Sequence, residues 1–121
     1  MAYQVVFYED RRGLYPVKDF ILALDKKARA KVWRYIELLE QYGPNLLRPY
    51  ADSVKDKIRE LRILTQEGNV RILYFFFIEQ NIILLHALKK KTQELPEGEI
   101  EHAKKNMLDF IARYKQGEFD L

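Results

Sequence analysis

The sequence predicts an α+β domain in which helices pack on a largely antiparallel sheet. Three observations carry that expectation. Apolar residues recur at helical spacing in three segments. Four other segments are short runs rich in β-branched and aromatic residues. Glu67-Gly68-Asn69 and Glu79-Gln80-Asn81 look like hairpin turns joining the last three of those runs. At 121 residues, 48% of them hydrophobic, the chain suits one domain spanning 1–121 with one packed core.

The elements follow in order. Residues 3–8, Y-Q-V-V-F-Y, read as a strand that the stretch from Gly13 to Pro16 breaks. A short helix is expected over 16–24, with Val17, Phe20, Ile21 and Leu24 on one face. Asp25 can cap a second helix over 26–42, whose stripe is Val32, Tyr35, Ile36 and Leu39 and which Gly43-Pro44 ends. A loop runs through Pro49 to three strands, at 57–64, 70–78 and 82–88, forming a meander. Pro96 opens a last helix to about 114, with Ile100, Ala103, Met107, Phe110, Ile111 and Tyr114 on its apolar face. The final residues, 117–121, are expected to fray.

Composition removes several function classes. Twenty-one Lys and Arg against 18 Asp and Glu give a formal charge of +3, too mild for a protein that coats nucleic acid in bulk. With no cysteine there is no disulfide framework, cysteine nucleophile or thiolate metal site. Five widely spaced glycines leave no phosphate-cradling loop. No apolar run approaches the ~20 residues of a membrane span. Met1-Ala2-Tyr3-Gln4 does not begin a signal peptide, so a cytoplasmic location is expected.

The meander can be registered by counting. A two-residue turn at Glu67-Gly68 sets Arg62 opposite Leu73 and Leu64 opposite Arg71. A turn at Glu79-Gln80 sets Leu73 opposite His86 and Arg71 opposite Leu88. Glu60, Arg62, Arg71 and His86 then share one face, and Lys90 joins them if its strand continues. Arg62 and Arg71 become diagonal neighbours. Leu61, Ile63, Ile72, Tyr74, Phe76, Ile83, Leu85 and Ala87 fall on the opposite face, assigned to the helix-packed core. Leu73, Phe75, Phe77, Leu84 and Leu88 remain on the charged face. The C-terminal helix or a protein partner should cover them.

At these residues the chain resembles a known family. Glu60-Leu61-Arg62, Val70-Arg71-Ile72-Leu73-Tyr74, the stretch from Leu84 to Gln93 (L-L-H-A-L-K-K-K-T-Q), Pro96 and Glu99-Ile100 resemble HigB-type toxins, the phage-derived branch of the RelE/ParE toxin superfamily. The resemblance covers about residues 3–112. It implies a RelE-like fold and a toxin of a type II toxin–antitoxin system. The implied activity is metal-independent cleavage of mRNA, usually on the ribosome, with no cofactor. The implied partner is a HigA-like helix-turn-helix antitoxin. By position Arg71 matches the family's middle-strand arginine, and Lys90, among Lys89 to Lys91, the basic residue after the last strand. Arg62 and His86 match positions common in the branch. The sequence departs from RelE at Ile58 and Glu60, where RelE carries lysines, and has Leu95 where the branch often has Thr before the proline.

Cleavage by 2′-hydroxyl attack needs a base, positive charge at the phosphorane oxygens, and an acid for the leaving 5′-oxygen. Arginine stays charged, and its planar fork suits phosphate oxygens, so Arg62 and Arg71 take that role. His86 titrates near neutrality and is a base or acid candidate. Lys90 can stabilise charge or move a proton. Glu60 is a second base candidate, and Lys89, Lys91 and Gln93 are placed with Glu60 at the substrate. Tyr50 is a candidate for stacking on a base, whereas Tyr74 is assigned to the core.

Plainer readings stand beside these. His86 could be structural, the lysine run a solvated turn, and Glu60–Arg62 a surface ion pair worth under ~1 kcal/mol. Glu99-x-x-His102 has di-iron spacing but no second copy, and reads as solvated helix surface. Two functional rivals share the fold: a ParE-like gyrase inhibitor and a degenerate antitoxin-binding module.

Overall fold

A computed structural model describes residues 2–92 and 94–121. It is α+β, as expected. Strand β1 (Gln4–Phe7) leads to helices α1 (Pro16–Leu22) and α2 (Lys26–Tyr42), and a single 3₁₀ turn (Gly43–Asn45) follows. Strands β2 (Ala51–Lys55), β3 (Ile58–Thr65), β4 (Gly68–Phe77) and β5 (Asn81–Lys90) precede helix α3 (Glu97–Lys115). The sheet order is β1-β5-β4-β3-β2, with β1 parallel to β5 and the other neighbours antiparallel.

Local chemistry accounts for the helix limits. The Asp25 carboxylate accepts from the Ala28 amide at 2.8 Å and caps α2. Gly43 closes the helix at φ 54°, and a Cβ there would collide with the Tyr3 ring, so only glycine fits. Pro96 precedes α3, whose first turn carries Glu97 and Glu99 and whose last turn carries Arg113 and Lys115. That arrangement suits the helix dipole at both ends.

The sheet separates two cores. Val17, Ile21, Val32, Ile36 and Leu39 of α1 and α2 bury Leu61, Ile63, Ile72, Tyr74, Ile82 and Leu84 on one face. On the other, Ala103, Met107 and Phe110 of α3 bury Leu73, Phe75, Ile83, Leu85 and Leu88. The C-terminal helix is therefore the cover that the charged face needed.

Three details differ from expectation. The loop expected through Pro49 ends in strand β2. It is a five-residue edge strand, Ala-Asp-Ser-Val-Lys, with a register shift between Ser53 and Lys55, and it has no apolar run to announce it. The β3–β4 turn is Gln66-Glu67, because Thr65 pairs with Gly68. This moves the pairing by two residues, keeps every face, and sets Arg62 directly opposite Arg71 instead of diagonal to it.

The third difference lies in the β4–β5 hairpin. Its loop has three residues, since Phe77 pairs with Asn81, and Ile78 and Glu79 adopt φ 46° and 60°. A bulge then follows, because Leu73 pairs with His86 but Tyr74 with Leu84, leaving Leu85 as the extra residue. The longer loop and the bulge cancel, so Leu73–His86 and Arg71–Leu88 pair as counted. Between them the alternation flips. Ile83 and Leu85 face α3 and Leu84 faces α1 and α2, the reverse of the expected assignment.

The tail folds back on α3 rather than leaving it. Glu118 pairs with Arg113, and Phe119 packs on Phe110 and Tyr114.

Candidate active site

The α3-facing side of the sheet carries two polar clusters. The first is built on β3 and β4. Opposed like charges on neighbouring strands repel, and Glu60 answers that repulsion. Its Oε2 accepts from Arg62 Nη1 at 2.8 Å. Its Oε1 lies 3.1 Å from Arg71 Nε, an ionic contact off the line of a hydrogen bond. Arg71 is only 2% exposed and Glu60 7%. A buried carboxylate and guanidinium hold one another in place, and breaking such a pair costs about 3–5 kcal/mol. The pairing is therefore part of the fold as well as of the site.

Burial, and then the neighbouring Arg62 charge, lowers the pKa of Arg71, yet the group remains a cation at neutral pH. Arg62 and Arg71 line a shallow cleft of about 150 Å³ with Pro49, Leu64 and Asn69. None of the described residues of α3 lines it. Asn69 and Pro49 were not among the sequence candidates. Asn69 was read as part of a turn, but it is a buried β4 residue opposite Leu64 and Lys90.

Strand β5 does continue to Lys90. The Lys90 ammonium is shielded from solvent and, among the described residues, makes no hydrogen bond. That shielding, followed by the Arg71 charge, lowers its pKa, while Glu60 opposes the shift. Three cations thus gather around one carboxylate in this cluster.

The second cluster contains His86. Its Nε2 lies 2.8 Å from Glu99 Oε1, and its ring stacks on His102 at 4.2 Å with planes 14° apart. These are the only two histidines in the chain. Glu99 and His102, read as plain helix surface, are the groups that fasten α3 over this part of the sheet. Burial and the neighbouring His86 charge lower the pKa of His102. In the strand lattice Leu73 stands between Glu60 and His86, and Leu88 beside Arg71, both buried under α3. His86 shares the arginines' face but is engaged by the helix.

The remaining lysines are placed differently. Lys89 points to the other side of the sheet and pairs with Glu67 Oε1 at 3.0 Å. Glu67 Oε2 also accepts from the Asp25 amide at 2.7 Å. Those two contacts lower the Glu67 pKa and tie the β3–β4 turn to the start of α2. Lys91 is exposed beyond the end of β5. Gln93 lies outside the described residues. Tyr74 is buried in the α1–α2 core as expected. Tyr50 is partly exposed beside Pro49, its ring 5.5 Å from that of Tyr35.

The family model described as "Phage derived protein Gp49-like" matches residues 19–108. The chain belongs to this Gp49-like family. The matched span holds both clusters, all of α2, and the part of α3 that covers His86. The Gp49-like chain is also 38% identical over 71 residues to "Putative toxin HigB3" of Mycobacterium tuberculosis (strain ATCC 25618 / H37Rv). That match covers 57% of this chain and 62% of the relative's length. The likeness to HigB-type toxins seen in the motifs thus recurs in a named relative. Among the described residues, no helix of the Gp49-like protein is long and apolar enough to cross a membrane.

Proposed function

We propose that this protein is the toxin of a type II toxin–antitoxin system and cleaves mRNA without a metal ion. The observation that carries the reading is the direct opposition of Arg62 and Arg71 across β3 and β4, held by one buried Glu60 beside the shielded Lys90. The paired guanidiniums present a fixed fork to the two non-bridging oxygens of the scissile phosphate. As the 2′-oxygen attacks phosphorus its proton passes to a solvent hydroxide, and negative charge builds on the non-bridging oxygens, where preorganised cations act most strongly. The P–O5′ bond then breaks, leaving a 2′,3′-cyclic phosphate and a 5′-hydroxyl. Lys90, with its lowered pKa, is the proton donor to that departing oxygen.

Glu60 is a positioning residue in this scheme, because both its oxygens are committed to arginines. His86 also positions, by holding α3 through Glu99. The substrate is mRNA on the ribosome. The partner is a HigA-like antitoxin encoded beside the toxin, acting in the cytoplasm. HigB3, the relative named a toxin, supports the toxin reading, and the cationic cleft supports an RNA phosphate as its target.

The test is induced expression of wild type and Arg71→Ala, with RNA 5′ ends mapped within minutes. New ends at in-frame codon positions in wild type alone are expected. Growth arrest without new ends would move the target to gyrase. Soluble protein that never arrests growth would mark a non-catalytic antitoxin-binding module.

A further inference from the structure

Helix α2 is charged against its own dipole. Lys26, Lys27, Arg29, Lys31 and Arg34 lie within residues 26–34, and no acidic residue follows until Glu37. Cations in the first turns face the positive end of the helix and cost stability there. Lys27, Lys31 and Arg34 also stand at i, i+4 and i+7, one stripe of like charge. Among the described residues none of the five forms an ion pair. Ordinary folding does not call for such an arrangement, whereas binding a polyanion does.

The stripe's Lys27 and Lys31 meet the end of β3 and the β3–β4 turn, from the sheet face opposite the arginines. Lys27 and Lys31 line a surface groove of about 400 Å³ with Leu64, Thr65 and Gln66, and Leu64 also lines the arginine cleft. The Lys31 ammonium donates to the Leu64 carbonyl and stands 5.9 Å above the Tyr35 ring. Tyr35 in turn meets Tyr50 edge to face, and Tyr50 adjoins the cleft residue Pro49. Cations and half-open aromatic rings therefore run from Arg62 around the end of β3 to Lys31, and helical spacing sets the exposed Arg34 about one turn further along α2. Alternating positive charge and stacking surface is what a single-stranded nucleic acid uses, and an acidic protein has no need of the rings.

We propose that the Lys27–Lys31–Arg34 stripe, with Tyr35 and Tyr50, is a docking surface for the single-stranded RNA that flanks the phosphate held by Arg62 and Arg71. This rests on the nuclease reading for its direction along the chain, but the surface binds RNA whether or not cleavage occurs.

The test measures binding of the full chain to a fluorescent 12-nucleotide RNA with 2′-O-methyl groups, which cannot be cleaved. Lys27→Gln/Arg34→Gln removes two exposed cations without touching the arginine cleft. Its affinity should fall at least tenfold near 0.1 M salt. The slope of log affinity against log salt should drop by about 1.4, or ~0.7 per lost phosphate contact. Its melting temperature should hold or rise, since an unfavourable charge pattern has been relieved, so lost binding cannot be mistaken for unfolding. Tyr50→Ala should weaken binding with the slope unchanged. Equal affinity and slope in wild type and double variant would overturn the proposal, as would a wild type that binds no RNA. Loss of poly-glutamate binding with RNA binding intact would assign the face to an acidic protein and overturn it too. A wild type that binds RNA through this stripe yet yields no new 5′ ends in cells would overturn the nuclease reading alone.

Discussion

The two polar clusters on the α3-facing sheet surface use the same kind of material to different effect. In one, Arg62, Glu60, Arg71 and Lys90 meet beside a cleft to which the helix contributes no lining. In the other, His86 meets Glu99 and His102, and the helix closes over them. Titratable groups sit at both, but their partners differ in origin. The arginines of the first cluster meet their carboxylate, Glu60, within the sheet. The histidine cluster is satisfied by α3, so its polar atoms serve the packing. In the proposed function, what separates the site from a fastening is which element supplies the counter-group, not the catalytic reputation of the residue.

Exchanging the two clusters in an experiment would break that contrast most directly. Arg71→Ala should lower RNA cleavage about 10²- to 10³-fold, the usual loss for a preorganised donor at a developing anion. His86→Ala should change it by no more than a few fold. Cleavage assays on both variants, each checked for a folded circular dichroism spectrum, decide it; a larger loss for His86 would reverse the assignment.

Helix α3 has a second anchor, in Tyr8, near its C-terminus. The Tyr8 hydroxyl donates to Asp109 Oδ2 at 2.6 Å, and burial with that contact pushes its pKa up to about 12. The unfolded phenol ionises near 10.0 while the folded one keeps its proton. Stability therefore falls as pH rises from 10 to 12, by about 2–3 kcal/mol for a two-unit shift. Tyr8→Phe should flatten that loss in denaturant titrations across this range. RNA cleavage at neutral pH should not notice the change.

Lys90 sharpens the arginine cluster. If its ammonium form is the proton donor, activity declines as pH rises through a pKa below the usual 10.5. Lys90→Arg should carry that alkaline limb upward, and Lys90→Met should cost about tenfold at neutral pH. An unmoved limb in Lys90→Arg would remove lysine from proton transfer.

The smallest effect belongs to His102, whose pKa is lowered in the fold. The unfolded ring takes up its proton first as pH falls, so stability is lost below about pH 6.5. The ring is exposed, so the loss is well under about 1 kcal/mol. The gap in thermal melts between wild type and His102→Gln should change slightly between pH 7 and 5, the wild type losing more of its stability at the lower value.

Much of this was legible in residue order. Asp25 and Gly43 bound α2 where their chemistry places them, and the faces of Glu60, Arg62, Arg71, His86 and Lys90 follow from strand alternation. Strand β2 was not legible, because an edge strand can be short and polar. Nor was the bulge at Leu85, because an inserted residue leaves no mark in an unbroken run of aliphatic side chains. At the candidate site the counter-groups were the hidden part. Glu99 and His102 lie 13 and 16 positions beyond His86, and only the docking of α3 shows that they hold it. Lys89 looks like its neighbour Lys90 in sequence, but strand alternation sends it to Glu67 on the far side.

The two attachments of α3 are unequal. Near its C-terminus, Asp109 receives Tyr8, Arg11 and Arg113, and Arg113 also donates to the Glu9 carbonyl, so the helix is riveted to the segment after β1. Near its start it is held through His86 with Glu99 and, at the surface, Lys55 with Glu97. A helix fastened this way should open as a hinged cover, with its axle at Asp109 and its latch at the histidine pair. Amide exchange should travel along it in one direction, fastest near Ile100 and slowest near Phe110, as the cover lifts from the latch end.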